Sequence, residues 1–351
     1  MAVNMNDVDS IVIPQGDVRV IRDSNNTPIW FKQDHVEIDL MPYVQDQIGW
    51  WNPAWTSCSS FGTDSNWSFS TTWFPVDEGK LSYKMYLHSA VGHLTAWDAN
   101  GTSLGYINGS NSTSMAAREW TLPAGTKWLR ICIAYPKGSI GQGRDQYLRY
   151  SGRSPIPRRY QLLNGITSTG VQYIDTGITP NANHVIDMWM TPTDPTGDSK
   201  FFGMYGGGIA GAFLGCYNNK WRIGSGLKGS TVPITGDRIR VRNQGSTWQW
   251  GSVLEGDPSD TCTAIATGNN TYLLFGCRFG GTGQPAIQFG KMTCHILRIG
   301  LRQNANYNLV MAKPQACFLP CRDLATGELG MYEFVNGTFH GNLGSGSFTA
   351  A

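Results

Sequence analysis

Flat aromatic side chains are the residues of this 351-residue chain best suited to binding chemistry. Trp248 and Trp250 flank Gln249, so in a strand both indoles would lie on one face. The C–H face of a pyranose stacks on such rings while nearby polar groups bind its hydroxyls. If this face is concave and open, these two residues form a candidate carbohydrate site with Trp221 and Arg278; if it faces inwards, the indoles are core.

Three arginines alternate with apolar residues in a second strand-like run. Arg238, Arg240 and Arg242 would share one face of a strand, opposite Ile239 and Val241. Arginine is mostly exposed in folded proteins, which favours a solvent-facing strand. The alternative is a contact with an anionic glycan or with another subunit.

The carboxylates lack the pattern of a glycoside hydrolase, which needs two acids across the scissile bond. No strand-like run has an E-x-D-x-x-E-like spacing. The acids within 194–198 and 255–260 lie beside proline or glycine, which predicts solvated loops rather than calcium sites. Residues 101–105 fit G-x-S-x-G, but turn signals on both sides of Ser103 indicate a hairpin, not a nucleophile elbow. We expect no catalytic residue and no cofactor.

Eight cysteines raise the question of disulfides or metal binding. Four lie in apolar, strand-like runs, where free cysteine behaves as a small hydrophobe: Cys132, Cys216, Cys277 and Cys294. Cys317 and Cys321 form C-x3-C, and only His295 and His340 are conceivable zinc partners for them. We therefore expect reduced thiols and no metal site.

The composition indicates a scaffold of strands and turns. Charged residues make up only 15%, whereas the chain has 43 glycines and 13 tryptophans. Glycine supplies turns and aromatic rings pack on pleated faces. No stretch keeps a 3.6-residue apolar period, which predicts very little helix. A net charge of +2 without a basic block opposes nucleic-acid binding. No apolar run approaches the ~20 residues of a membrane span, so we expect no membrane insertion.

The predicted fold is all-β, with two β-sandwich domains in tandem after an N-terminal β-hairpin arm. The arm covers residues 1–34, the first sandwich 35–150, a linker 151–158 and a jelly-roll sandwich 159–351. Strand-like runs separated by turn signals recur at sandwich spacing. Two prolines and a glycine predict that the linker is a semi-rigid spacer.

The arm alternates apolar and polar residues before a D-S-N-N turn and becomes apolar again at Ile29 after it, which predicts the hairpin. About 30 residues are too few for an independent core. We expect the arm to dock, either in an assembly or as an extra strand of the next domain. The apolar residues assigned to this anchor are Ile11, Ile13, Val18, Val20, Ile29 and Trp30.

The first sandwich begins with a crowd of tryptophans: Trp50, Trp51, Trp55, Trp67 and Trp73. A sandwich has two inner faces to fill, which favours core or inter-subunit packing for most of these rings. A platform for a glycan is the alternative.

Residues 171–181 (V-Q-Y-I-D-T-G-I-T-P-N) and residues 318–348 form two long motifs of the second sandwich. Both resemble motifs of the concanavalin A-like (laminin-G-like) jelly-roll domain of bacteriophage structural proteins. Residues 171–181 resemble its opening TQYIDTG…PN, with Val171 in place of threonine. Residues 318–348 resemble its closing segment, with Glu333 in place of aspartate and Asn336-Gly337 as a hairpin signal. The resemblance covers about residues 158–351. The first sandwich resembles galactose-binding-like or carbohydrate-module-like sandwiches of phage fibres, through W-D-A-N-G and L-P-A-G-T-K-W-L-R-I.

The resemblance implies a non-enzymatic virion protein, a head or tail fibre or decoration appendage whose lectin-like domains adhere to a host surface glycan. The expected partners are other virion proteins, in the capsid, near the portal or in the tail, and further copies of this chain, with a trimer favoured. The first ten residues lack the regions of a secretory signal, so we expect synthesis in the bacterial cytoplasm and a place on the virion surface. Two alternatives stay open: a capsid or tail decoration protein without a glycan ligand, and a divergent glycoside hydrolase.

Overall fold

A computed structural model of the chain describes residues 20–22, 28–30, 35–40, 47–48, 50–54, 57–62, 67–84, 93–108, 117–136, 147–206, 209–223, 226–227, 236–251, 259–261, 270–280, 287–304 and 307–351. Within these residues the chain is all-β and contains no helix, which confirms the predicted fold class. Accordingly, none of them forms a helix long and apolar enough to cross a membrane. Ile11, Ile13, Val18 and Trp55 lie outside the described residues.

The strands before the predicted linker begin with β1 and β2 of the arm. They are β1 (Val20–Arg22), β2 (Pro28–Trp30), β3 (His35–Asp39), β4 (Gln47–Ile48), β5 (Trp50–Ala54), β6 (Ser57–Gly62), β7 (Trp67–Pro75), β8 (Gly79–Lys84), β9 (His93–Trp97), β10 (Ser103–Asn108), β11 (Arg118–Thr121), β12 (Trp128–Pro136) and β13 (Tyr147–Arg153).

The strands of the second sandwich follow. They are β14 (Tyr160–Leu162), β15 (Ile166–Thr167), β16 (Ile174–Asp175), β17 (His184–Pro192), β18 (Ser199–Gly206), β19 (Ile209–Tyr217), β20 (Lys220–Ile223), β21 (Gly226–Leu227), β22 (Ile239–Gln244), β23 (Thr247–Gly251), β24 (Ser259–Thr261), β25 (Leu273–Leu274), β26 (Gly276–Gly280), β27 (Ile287–Phe289), β28 (Met292–Asn304), β29 (Tyr307–Met311), β30 (Ala316–Asp323), β31 (Leu329–Glu333), β32 (Thr338–His340) and β33 (Thr349–Ala350).

The arm contains a two-stranded hairpin. Strands β1 and β2 pair antiparallel, with Val20 opposite Trp30 and Ile21 opposite Ile29. These strands carry three of the residues assigned to the anchor. That the hairpin docks in an assembly stays a prediction.

The first sandwich is built from a five-stranded sheet (β10-β9-β12-β7-β4) and a four-stranded sheet (β11-β8-β13-β3). Alternation along the strands sends every second side chain inwards. In β8, Leu81 and Tyr83 are buried while their neighbours are not. In the same way, Leu148 and Tyr150 of β13 are buried. Trp73 of the predicted tryptophan crowd lies in this core.

The predicted linker is part of the packed structure. Strand β13 continues through Arg153, three residues into the segment assigned to the spacer. Gly152 pairs with Gly79 there, and a Cβ on Gly152 would lie 2.4 Å from the carbonyl oxygen of Glu78. Ile156 is then buried in the core of the first sandwich. Proline and glycine predicted a boundary between domains because they interrupt apolar periodicity. In the structure, Gly152 instead allows two strands to approach each other closely.

The second sandwich has a twelve-stranded and an eight-stranded sheet. The main path of the larger sheet is β24-β23-β22-β17-β28-β30-β31-β32. Ile186, Met188 and Met190 of β17 point to the core between the sheets. The hairpin predicted at Asn336-Gly337 is confirmed, because β31 and β32 pair around it and Gly337 has a φ of +73°.

The larger sheet is buried on both faces. Trp189 and Ile296 point away from the inner core and join a second cluster that also contains Trp73, Trp128 and Ile131. The core of the first sandwich is therefore continuous with the outer face of this sheet. We call this shared region the junction.

Candidate functional site

The three tryptophans of the predicted carbohydrate site lie in the inner core of the second sandwich. Trp221 and Trp248 are each 1% exposed and Trp250 is 4% exposed. The rings of Trp221 and Trp250 are 5.8 Å apart, and Trp221 also meets Phe201 edge to face. A sugar needs an open aromatic face, so the carbohydrate assignment is wrong for these three residues: their shared face points inwards.

Arg278, the fourth member of that predicted site, is separated from the indoles. It lies on β26, which pairs with β18, and β18 and β19 stand between it and the β20 strand of Trp221. Its side chain is 35% exposed, and its Nη2 lies 3.4 Å from Asp175 Oδ2. The structure does not bring the four predicted residues together.

The arginine face of β22 is buried, not solvent-facing. Arg240 and Arg242 are 1% and 4% exposed, so the prediction of a solvated face is wrong for both. Arg240 donates two hydrogen bonds of 2.8 Å to the two carboxylate oxygens of Asp187. Arg238, at the start of the run, places its guanidinium 5.6 Å from the ring centre of Trp189.

Asp187 is the centre of a buried ionic network. Besides the bidentate pair with Arg240, Arg242 Nε lies 3.6 Å from its Oδ1 and Arg298 Nη2 lies 3.2 Å from its Oδ2. The strand register explains this, because Asp187 is directly opposite Arg242 on β22 and Arg298 on β28. The available signal was a lone carboxylate inside the apolar run 185–190. Such a group is seldom buried without a partner.

Four hydrogen bonds tie the two sandwiches together at the junction. Arg298 Nη1 donates to Thr72 Oγ1 and to the Trp73 carbonyl. Trp73 Nε1 donates to the Met311 carbonyl at 3.2 Å. Arg130 Nη2 donates to Gln303 Oε1 at 2.8 Å. Their donors and acceptors come from opposite sandwiches, so together they define one orientation.

A cleft opens beside these contacts. Its volume is about 260 Å³, and its lining residues are Ala99, Lys127, Trp128, Lys313, Phe334 and Val335. The rings of Trp128 and Phe334 meet edge to face with centroids 4.9 Å apart, one from each sandwich. At the turn that contains Gly101, the first sandwich packs closely against Lys313. A Cβ atom added to Gly101 would lie 3.4 Å from Cδ and Cε of the Lys313 side chain. We call this space the junction cleft.

His295, considered above as a zinc partner, has a structural role. Its Nδ1 lies 2.8 Å from the Asn164 carbonyl, which can only accept, so Nδ1 donates and Nε2 accepts from Thr191 Oγ1 at 3.0 Å. Burial, with a contribution from Arg238, lowers the pKa of His295 to about 4. The five cysteines with described side chains are free and buried, and burial raises the pKa of Cys216 to about 11. Among the described residues, no group of three or more His, Cys, Asp or Glu is placed to hold a metal ion.

The acids of the loop at 194–198 already have cationic partners. Lys291 Nζ lies 2.9 Å from Asp194 Oδ2, and Asp198 pairs with Lys200 and Arg222. Hydrogen bonds from Thr196 and Lys291 hold the pKa of Asp194 at about 2. Ser103 opens β10, which pairs with β9, so the predicted hairpin at the G-x-S-x-G segment is confirmed. Glu255 and Asp257 lie outside the described residues.

Comparison of the chain with models of protein families and with curated proteins found no match.

Proposed function

We propose that this chain is a non-enzymatic bacteriophage virion protein, a head or tail appendage that presents two sandwich domains to the host surface for adhesion. The observation that carries the proposal is the shared core of the junction. Domains of one chain move relative to one another unless their interface is large and apolar. A continuous core with four hydrogen bonds across it supports a rigid two-domain body, which suits the display of a binding surface at a fixed orientation.

The junction cleft supports binding rather than catalysis. Among the described residues that line it, two are lysines, two are aromatic and none is acidic. Hydrolysis of a glycosidic bond requires two carboxyl groups across the scissile bond. Aromatic and cationic groups without such a pair suit recognition of a polar ring.

A decoration or cementing role without a glycan ligand is the second candidate. The burial of Trp221, Trp248 and Trp250 favours it, because it removes the aromatic platform that the sequence predicted. Under this alternative, the junction serves only to stiffen the chain on the particle.

The first experiment locates the chain in purified particles of a phage that encodes it. We expect immunogold labelling of intact particles on the outer surface of the head or tail, and copy numbers in multiples of three by quantitative mass spectrometry, as for a trimer. Particles without the chain would overturn the proposal. A monomer at micromolar concentration in light scattering would contradict the predicted oligomer.

A glycan array probed with the intact purified chain then separates the two candidates. Binding to any host-surface glycan supports adhesion. A chain that is present on the particle but binds none supports the cementing role.

A further inference from the structure

We infer that the junction cleft binds a single carboxylated sugar ring, such as a hexuronate at the end of an acidic glycan. The inference rests on the proposed function for its choice of a glycan. The lining residues of the cleft define the site, and purified chain is sufficient to test it.

The ammonium group of Lys313 indicates that the ligand carries a negative charge. Among the described residues, no carboxylate pairs with its ammonium group, whereas Lys127 lies 3.0 Å from Asp77 Oδ2. A charge that already has a partner offers less to a ligand than one that does not. Lys313 is therefore the main contact for a carboxylate, and Lys127 adds a weaker positive field from the opposite sandwich.

The apolar side of the junction cleft indicates that the ligand contains a ring. Val335 is 37% exposed and Phe334 is partly buried beside it. Trp128 is only 1% exposed, so it holds the Phe334 ring edge to face instead of stacking on a sugar itself. The C–H face of a pyranose fits against Phe334 and Val335 while its carboxylate reaches Lys313.

The size of the cleft restricts the ligand to one ring. Its volume of about 260 Å³ lies just below the ~300–1,000 Å³ of typical small-molecule pockets. Ala99, Lys127 and Trp128 come from the first sandwich, and the other three lining residues come from the second. Neither sandwich forms the site alone, and the shared core fixes its walls before the ligand arrives, which lowers the cost of binding.

The test is a titration of the intact chain with methyl β-glucuronide and methyl β-glucoside, followed by NMR or calorimetry. We expect millimolar binding of the glucuronide, about tenfold tighter than that of the glucoside, as for one charge-assisted contact. Lys313→Gln should abolish this preference, and Val335→Asp should abolish glucuronide binding by repulsion. Lys80→Gln, which removes an exposed lysine of β8, is the matched control and should change nothing. Circular dichroism verifies the fold of each variant.

Equal affinity for the two glycosides, or no glucuronide binding at about 10 mM, would overturn the inference. An equal loss in Lys80→Gln and Lys313→Gln would also overturn it, because it would indicate a non-specific charge effect. A chain that is present on particles but binds no glucuronide defeats this inference and leaves the proposed function standing. A chain that binds glucuronide but is absent from particles does the reverse.

Discussion

The two faces of the larger sheet of the second sandwich are both buried, but by different chemistry. The inner face packs apolar and aromatic side chains, such as Met188 and Phe318, against the smaller sheet. The outer face packs Trp189 and Ile296 against the first sandwich, together with Asp187 and its arginines. Apolar burial is non-directional and roughly proportional to area, so it stabilises a fold without choosing one orientation. A buried ionic network has strict geometry, and its desolvation cost offsets much of its attraction. We infer that the inner face supplies stability and the outer face fixes how the two sandwiches are joined.

The substitution with the largest expected effect on stability removes the charge at the centre of the ionic network. Asp187→Asn would leave the buried guanidinium groups of Arg240, Arg242 and Arg298 without their shared charge partner. We expect the free energy of unfolding to fall by about 3–5 kcal/mol, towards the upper end because three cations depend on one carboxylate. Urea denaturation followed by tryptophan fluorescence measures it.

Glu78→Gln is the control for that experiment. It breaks an exposed pair in which Arg153 Nη2 lies 3.2 Å from Glu78 Oε2, so the loss should be under about 1 kcal/mol. Similar small losses in the two variants would contradict a structural role of the network.

The substitution with the next largest expected effect tests the apolar inner face of the larger sheet. Trp248→Ala removes a buried indole, and we expect a loss of about 3–4 kcal/mol from the transfer and cavity costs. Thermal unfolding of the variant measures the loss, and Leu343→Ala, at a side chain that is 60% exposed, should cost under about 0.5 kcal/mol. A stable Trp248→Ala protein that had lost sugar binding would instead restore the original carbohydrate assignment.

A pH titration examines two histidines on the central strands β17 and β28 of the larger sheet. Burial holds the pKa of His295 at about 4 and also lowers that of His184, so the unfolded chain binds more protons than the folded one between about pH 6.5 and 4. Stability should therefore fall as the pH falls through this window, by about 1–3 kcal/mol for His295. Denaturant midpoints measured across the window should show a shallower slope in His295→Gln. An unchanged slope would contradict the assigned neutral state. The loss linked to Asp194, whose pKa is about 2, belongs to a lower window.

The substitution with the smallest expected effect tests one hydrogen bond across the junction. Gln303→Leu removes the acceptor for Arg130 Nη2 and should cost about 1.5 kcal/mol, the lower end of the range for a hydrogen bond to a charged group. Gln161→Leu on the exposed side of β14 is the control and should be neutral within about 0.5 kcal/mol. Equal values in denaturant unfolding would show that this contact does not tie the sandwiches together.

Local rules predicted the elements of this chain better than their surroundings. Asn336-Gly337 predicted a hairpin correctly because the turn geometry depends on those residues themselves. Arg240 and Arg242 were predicted to face solvent because the rule for arginine assumes that one face of a strand is free. Residues 151–158 were assigned to a spacer for a similar reason, since prolines interrupt periodicity whether or not the chain around them is buried.

By itself, the sequence determined that this protein is all-β, that its sandwiches follow a hairpin, and that Trp248 and Trp250 lie on one face of a strand. These properties follow from alternation and turn chemistry, which act over a few residues. Only the tertiary structure decided that this face points inwards, that Asp187 pairs with three arginines, and that Lys313 and Trp128 line one cleft. Those outcomes depend on which surfaces cover each other, and a covering surface distant in sequence leaves no local pattern.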